Sequence, residues 1–549
     1  MTLGNCTRPE AEVWIEREFT NPIFAGYYPD PSLCQAGDDY YLVHSTFCHF
    51  PGIPVFHSKD LIDWELIGHV LNRPDQYNTT GLEISRGIFA PAISYHNGTF
   101  YIVNTLVDCG GNFITTAQDP AGPWSDPVLL PEINGIDPSL FFDDNDSAYI
   151  VYNSDAPDNR PLYSGHRTIR LSKFNIKNLK VTSKNKILVN GGVDISQKPV
   201  WIEGPHILKK DSWYYLVAAE GGTGENHSQV VFRSKKVDGP FIPWTENPIL
   251  TQRHLDPHRK NPITSTGHAD LFTAPDGSWW AVFLGCRPYE DNHYNTGRET
   301  FMAPVHWNTD GWPVINPGYD EIQNTYTIKT KPQGKLPKYR YSGNFTDIDD
   351  FDEPEMNPNW IQLRTPSGKW HLLDDGKLII NLRPETAGEL KNPSFIAHRQ
   401  QHINSTIITA MNFSPKNENE KAGLLVFQNA RHHYFLCKAQ NKGFDEVHLY
   451  QSSAERKGLV LLASVRLMEK NKGIILKVSS SKEGYGFYYG NDKNHLNVLA
   501  EKVDGKFLST KVAGGFVGVV SGMYATSTGL ASSNSAAFDW FEYMGQDDF

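Results

Sequence analysis

The sequence predicts an all-β protein in which a five-bladed β-propeller is followed by a second β unit, most simply a β-sandwich. Three observations carry this expectation. One short motif recurs five times before residue 275, each recurrence runs into a polar turn and an aromatic-rich strand, and no long stretch sustains the 3.6-residue periodicity of an amphipathic helix.

In chain order the motifs are "YPDPSLC" at Asp30, "FAPAISY" at Pro91, "IDPSLFF" at Asp137, "IEGPHIL" at Glu203 and "GHADLFT" at His268. The segments that follow, "GDDYYLVHST", "HNGTFYIVNT", "NDSAYIVYN", "KDSWYYLVAAE" and "PDGSWWAVFLG", place a turn rich in Asp, Asn, Gly and Ser ahead of β-branched and aromatic residues. That order is the signature of a hairpin's second strand. The five marker residues lie 61, 46, 66 and 65 positions apart, enough for four short strands and variable loops in each unit. "IPVFHSKDLIDWELIGHVL" and "SQVVFRSKKVDGPFIPW" supply further strand–turn–strand pairs. A large β-sandwich of irregular spacing is the plainer alternative.

The repeat ends where "KTKPQGKLPKYRYSG" turns basic and rich in Pro and Gly, which marks a junction. The expected organisation is a propeller over residues 21–328, a linker over 329–343 and a second all-β domain over 344–549, in which "KWHLLDDGKLIINLRP", "GGFVGVVSGMYATS" and "AAFDWFEYM" read as strands.

Charge narrows the function. Against 62 acidic residues stand 51 basic ones, a net charge of -11 without a dense basic block, so nucleic acid is not an expected partner. No apolar run reaches the roughly 18 residues of a membrane helix. The first twenty residues lack the apolar core of a secretory signal, which leaves the compartment open between cytoplasmic and exported with the signal removed. The six cysteines are scattered without a C-x-x-C pair, leaving room for one or two bridges but no zinc site.

In a propeller the first strand of every blade lines the central channel. If the five motifs are those strands, Asp30, Asp137, Glu203 and His268 converge on one funnel from distant parts of the chain. Prolines beside both aspartates, and the Gly-Pro after Glu203, fix the backbone where the side chains must be aimed. Three acids in one narrow channel cannot all stay ionised cheaply, so repulsion raises the pKa of at least one. Glycoside cleavage needs such a set, one carboxylic acid to protonate the leaving oxygen and one carboxylate to activate water or attack carbon. Glu203, with the longest reach, is the natural acid. A lone Asp in D-P-S is ordinarily a turn residue, but its recurrence at equivalent places in a repeat is not explained by turn chemistry.

"YPDPS", "GIFAP", "GIDPSLFFD", "WIEGPHI", "GHADLF" and "TGRETF", in this order, resemble glycoside hydrolase family 43, and the likeness runs along nearly the whole chain. It is strongest to the two-domain β-xylosidases and α-L-arabinofuranosidases, which implies a five-bladed propeller followed by a concanavalin A-like sandwich. The resemblance implies an inverting enzyme with Asp30 as general base, Asp137 as the residue that tunes and orients the acid, and Glu203 as general acid. It implies xylo-oligosaccharide or arabinoxylan-derived substrates and no cofactor for the chemistry. By the same resemblance Arg298 hydrogen-bonds sugar hydroxyls, Phe47 and Phe89 form aromatic walls, and His268 sits near a water or a bound calcium in the channel, a calcium that would take most of its ligands from water; the glycines of "EGGTGENHS" would let backbone come close to the substrate at Thr223. The C-terminal sandwich is expected either to close one side of the pocket, as in relatives of this architecture, or to bind a structural calcium near Asp539. Preference between xylose and arabinofuranose and oligomeric state stay open. Beside this stand a non-catalytic glycan-binding propeller and a fructan- or arabinan-active propeller enzyme.

Overall fold

Each of the five motifs opens a separate sheet in the computed structural model, which describes residues 14–332, 336–453, 458–468 and 473–548. The innermost strands are Ser32–Ala36, Ala92–His96, Gly135–Phe142, Glu203–Lys210 and Thr264–Thr273. Each pairs antiparallel with the aromatic strand after it, Asp39–Val43, Thr99–Val107, Ala148–Asp155, Trp213–Glu220 and Trp279–Cys286. Two or more outer strands complete each sheet, giving the five blades of a propeller.

Neighbouring innermost strands are tied by side chains. Leu33 N and Ser32 Oγ of the first blade donate to Asp270 Oδ2 of the fifth at 3.0 and 3.1 Å, and Ser139 Oγ of the third donates to Pro205 O of the fourth at 2.6 Å. The ring is also closed outside the blades, where Ile15–Thr20 pairs with Thr325–Thr330. Between the first and fifth blades Phe24, Phe56, Trp64, Trp280 and Phe301 pack into one core. Fully burying an aromatic or aliphatic side chain contributes roughly 1.5–3 kcal/mol.

The remaining strands form a sandwich of an eight-stranded and a six-stranded sheet. It is seated on the propeller by apolar contact and by buried cations. Tyr27, Phe47 and Ile84 share a core with Ile361, Leu363, Phe395 and Val517, and Gln362–Leu363 pairs with His49–Phe50. Arg399 Nε donates to Tyr27 O at 2.9 Å, and Arg364 Nε to Leu82 O at 2.9 Å. Arg287 reaches both Glu299 of the propeller and Asp547 near the end of the sandwich.

Helix is nearly absent, as the periodicity predicts: among the described residues the α-helix is limited to Thr510–Ala513, with three single-turn 3₁₀ segments. None is long and apolar enough to cross a membrane. The five described cysteines are unbridged, so the bridges for which the sequence left room do not form among them; Cys6 lies outside the described residues.

Candidate active site

At the mouths of the innermost strands the backbone departs from regular pairing. Asp30, Asp137 and His268 take left-handed φ values of 54°, 53° and 54°. The residue before a proline favours extended backbone, so Asp30 and Asp137 sit where the chain resists, at a cost of order 1–3 kcal/mol each. Register shifts account for the aim: the pairing slips between Ile136 and Ser139, between Glu203 and His206, and between Gly267 and Asp270. A bulge of this kind turns a side chain out of the sheet, and here each bulge sits at the channel mouth. Gly204, at φ +56°, has a steric reason, since a Cβ there would lie 2.8 Å from the His268 ring.

The outcome is one cavity of about 400 Å³. Its lining brings together every catalytic, substrate-binding and channel residue proposed from the sequence, Asp30, Phe47, Phe89, Asp137, Glu203, Thr223, His268 and Arg298, but not Asp539. Asp30 is the most heavily bonded. Ser45 Oγ donates to its Oδ2 at 2.6 Å, while Arg298 donates from Nη1 to Oδ1 at 2.9 Å and from Nη2 to Oδ2 at 3.4 Å. Arg298 Nη1 also donates to Thr223 Oγ1 at 3.1 Å, so the Thr223 hydroxyl steadies the guanidinium as well as lining the pocket. Asp137 Oδ2 accepts from Gly204 N at 3.1 Å, which ties it to the residue after Glu203.

These partners separate the three acids. Burial pushes Asp30 up, but the Arg298 guanidinium, His268 and the Ser45 hydroxyl outweigh it and hold the carboxyl below its ordinary value. Asp137 is pushed up to about 7, first by burial and then by the charge of Asp30. Glu203 is raised well above the ordinary range by burial, by Asp137 and by Asp30, with Arg298 and the nearby Trp201 side chain opposing. One carboxylate and at least one carboxylic acid therefore face the same cavity near neutral pH.

The walls include residues that sequence reasoning missed. Phe516, from the sandwich, stacks on Phe47 with centroids 5.9 Å apart and meets Phe89 edge-on at 5.9 Å, while Phe47 and Phe89 meet edge-on at 5.4 Å. Trp201 and Arg86 also line the cavity. Trp201 stands two residues before Glu203 in the quoted motif and Arg86 three before Phe89, so proximity to the motifs was an available signal. Phe516 gave none, because only the docking of the sandwich brings it near.

The calcium expectations fare differently. Burial lowers the His268 pKa to about 4, leaving a neutral imidazole whose Nδ1 lies 3.8 Å from Asp30 Oδ1. Asp539 Oδ1 faces Lys377 Nζ at 3.8 Å. Calcium takes six to eight oxygens, and no group of three or more His, Cys, Asp or Glu is placed to hold a metal among the described residues. Neither place offers a set of protein side chains for calcium, and a calcium beside His268 would take most of its ligands from water.

Comparison with known proteins gives the same architecture. The profile of glycosyl hydrolases family 43 matches residues 19–313, and that of a β-xylosidase C-terminal concanavalin A-like domain matches residues 348–544. A xylosidase/arabinosidase of Butyrivibrio fibrisolvens is 38% identical, with 95% of this chain and 98% of the relative covered. A non-reducing end α-L-arabinofuranosidase of Bacteroides ovatus is 37% identical over 96% of this chain and 95% of its own length. Among solved structures, a xylan β-1,4-xylosidase from Bacillus halodurans superposes with a TM-score of 0.84 at 29% identity, covering 96% of this chain and 100% of that one. With one profile spanning more than half of its residues and these relatives matching it almost end to end, the chain belongs to glycosyl hydrolase family 43.

Proposed function

We propose that the protein is an exo-acting, inverting glycosidase that removes single terminal β-D-xylose or α-L-arabinofuranose units from xylan or arabinoxylan fragments. The observation that carries this reading is the pair of opposite proton biases in one cavity, Asp30 held low and Glu203 held high. The names of the relatives, which cover both sugars, support the substrate class.

In this reading Asp30 accepts a proton from water as the water oxygen attacks the anomeric carbon from the face opposite the leaving group. Glu203 gives its proton to the departing oxygen as the C–O bond breaks. The sugar leaves inverted, and solvent returns the proton from Asp30 to Glu203. Asp137, bonded to the Gly204 amide, positions Glu203, and its partial charge favours the protonated acid. Arg298 and Thr223 hold the sugar's hydroxyls while Phe47, Phe89 and Phe516 cover an apolar face. Residues 21–328 are the catalytic unit and residues 344–549 close its wall.

Proton NMR of the first turnovers on a nitrophenyl xyloside or arabinofuranoside tests the mechanism. The anomer opposite to that of the substrate is expected first; the retained anomer would contradict the role of Asp30 as a base toward water.

A further inference from the structure

The cavity holds two guanidinium groups, and they are engaged differently. Arg298 is deep, with its side chain 8% exposed, and gives Nη hydrogen bonds to Asp30 and Thr223. Arg86 stands at the rim, its side chain 40% exposed. Its Nε donates to Asp108 Oδ2 at 2.6 Å, and its guanidinium lies 5.7 Å from the Phe89 ring centre.

The backbone beneath Arg86 is tied at several points. Arg86 N donates to Glu83 O at 3.0 Å, and Cys48 Sγ donates to Arg86 O at 3.2 Å. The next residue, Gly87, has φ +87°, and a Cβ there would lie 2.7 Å from Phe47 O. Phe47 and Ile88 exchange backbone hydrogen bonds at 2.9 and 3.0 Å. Ser85 Oγ, one residue earlier, accepts from Phe516 N at 2.9 Å, so the segment is braced by the sandwich as well. A guanidinium held at Nε by a carboxylate and laid near an aromatic ring leaves its Nη edge to meet a ligand and is partly oriented before binding.

We infer that Arg86, oriented by Asp108, is a specificity-determining residue that binds the hydroxyls of the leaving-group sugar. This rests on the proposed function: the sugar to be cleaved fills the deep end by the three carboxylates, so the scissile oxygen points outward and the departing saccharide lies at the rim. The Nη donors of Arg86 there meet hydroxyls that a nitrophenyl leaving group lacks. The occupant is a neutral pentose unit of the chain.

Steady-state kinetics of the full-length protein test this with two substrates that share a terminal sugar, a nitrophenyl glycoside and the corresponding disaccharide. Arg86→Ala is expected to lower kcat/KM on the disaccharide at least tenfold, mainly through KM, and to change it less than about twofold on the nitrophenyl glycoside. Arg86→Lys, which keeps charge without the fork, and Asp108→Asn, which loosens it, are expected to lie between. Inhibition by the free monosaccharide, which fills only the deep end, is expected to stay unchanged and reports an intact pocket. Equal losses on both substrates, or no loss on the disaccharide, would overturn the inference. A shift of preference toward acidic saccharides on restoring Arg86 would overturn the neutral occupant. Failure of the unaltered protein to cleave either substrate would instead overturn the proposed function.

Discussion

The two sides of the cavity are built from the same materials and end in opposite states. On one side Asp30, from the first blade, is buried against Arg298 and Ser45; on the other Asp137 and Glu203, from the third and fourth, are buried against each other and a backbone amide. Burial pushes every one of these carboxyls up. A fully buried acid shifts by up to roughly 3–5 units, and a guanidinium in contact offsets on the order of 4 kcal/mol at the effective dielectric of such sites, an effect of the same size. The side that holds the guanidinium is therefore the ionised one. A single arginine, placed off-centre, divides one set of acids into an ionised side and a protonated side.

The largest effects should come from removing the two groups whose states differ. Asp30→Asn is expected to lower kcat by on the order of 10³-fold or more on every substrate, since no other group in this arrangement takes the proton from water. Glu203→Gln should lose as much on sugar leaving groups and far less on a dinitrophenyl glycoside, whose phenolate departs without a proton. Equal losses on both leaving groups would break the assignment of the acid side.

Next in size is the loss of the asymmetry itself. Arg298→Met leaves the burial of Asp30 unopposed by its main partner, so the Asp30 pKa rises and the rising, acid limb of the pH–kcat/KM profile moves to higher pH, with a drop of roughly a hundredfold near neutrality. An unmoved acid limb would show that the guanidinium does not set the state of Asp30.

Asp137→Asn should have the smallest kinetic effect and a distinctive pH signature. Glu203 loses a charge that favours its protonated form, so the falling, alkaline limb moves to lower pH. Stability moves in the opposite sense. The folded pKa of Asp137, raised from 3.8 to about 7, contributes stability that is present below the unfolded value and lost as pH rises toward 7. Asn pays no such ionisation cost, so the Tm of the variant relative to the unaltered protein should increase between pH 4 and pH 7. Calorimetry across that range checks it, and a pH-independent difference would contradict it.

What the sequence made legible follows from repetition. Asp30, Asp137 and His268 could be placed together because each stands two residues before the equivalent paired position of a repeated strand, with Glu203 one residue earlier still, and strand order in a propeller carries that end to the channel. Arg298 was legible through its motif alone, whereas its bidentate grip on Asp30 required the first and fifth blades to meet. Phe516 was illegible because "GGFVGVVSGMYATS" reads as one strand, whereas the strand begins at Val520 and Phe516 lies in the Gly-rich loop before it, reaching the pocket only through docking between domains. The left-handed backbone at Asp30 and Asp137 ran against the usual pre-proline preference, and strain of that kind shows only in the folded chain. The calcium expectation came from resemblance without a ligand set in the residues, and the surroundings of His268 and Asp539 do not supply one.

The most direct test of the divided cavity is infrared difference spectroscopy of the carboxyl C=O stretch at pH 7, comparing the unaltered protein with Glu203→Gln and Asp30→Asn. With Asp137 partly protonated at this pH, the protonated-carboxyl absorption is expected to lose its larger part with Glu203→Gln and to survive Asp30→Asn. A band that disappears with Asp30→Asn and survives Glu203→Gln would contradict it.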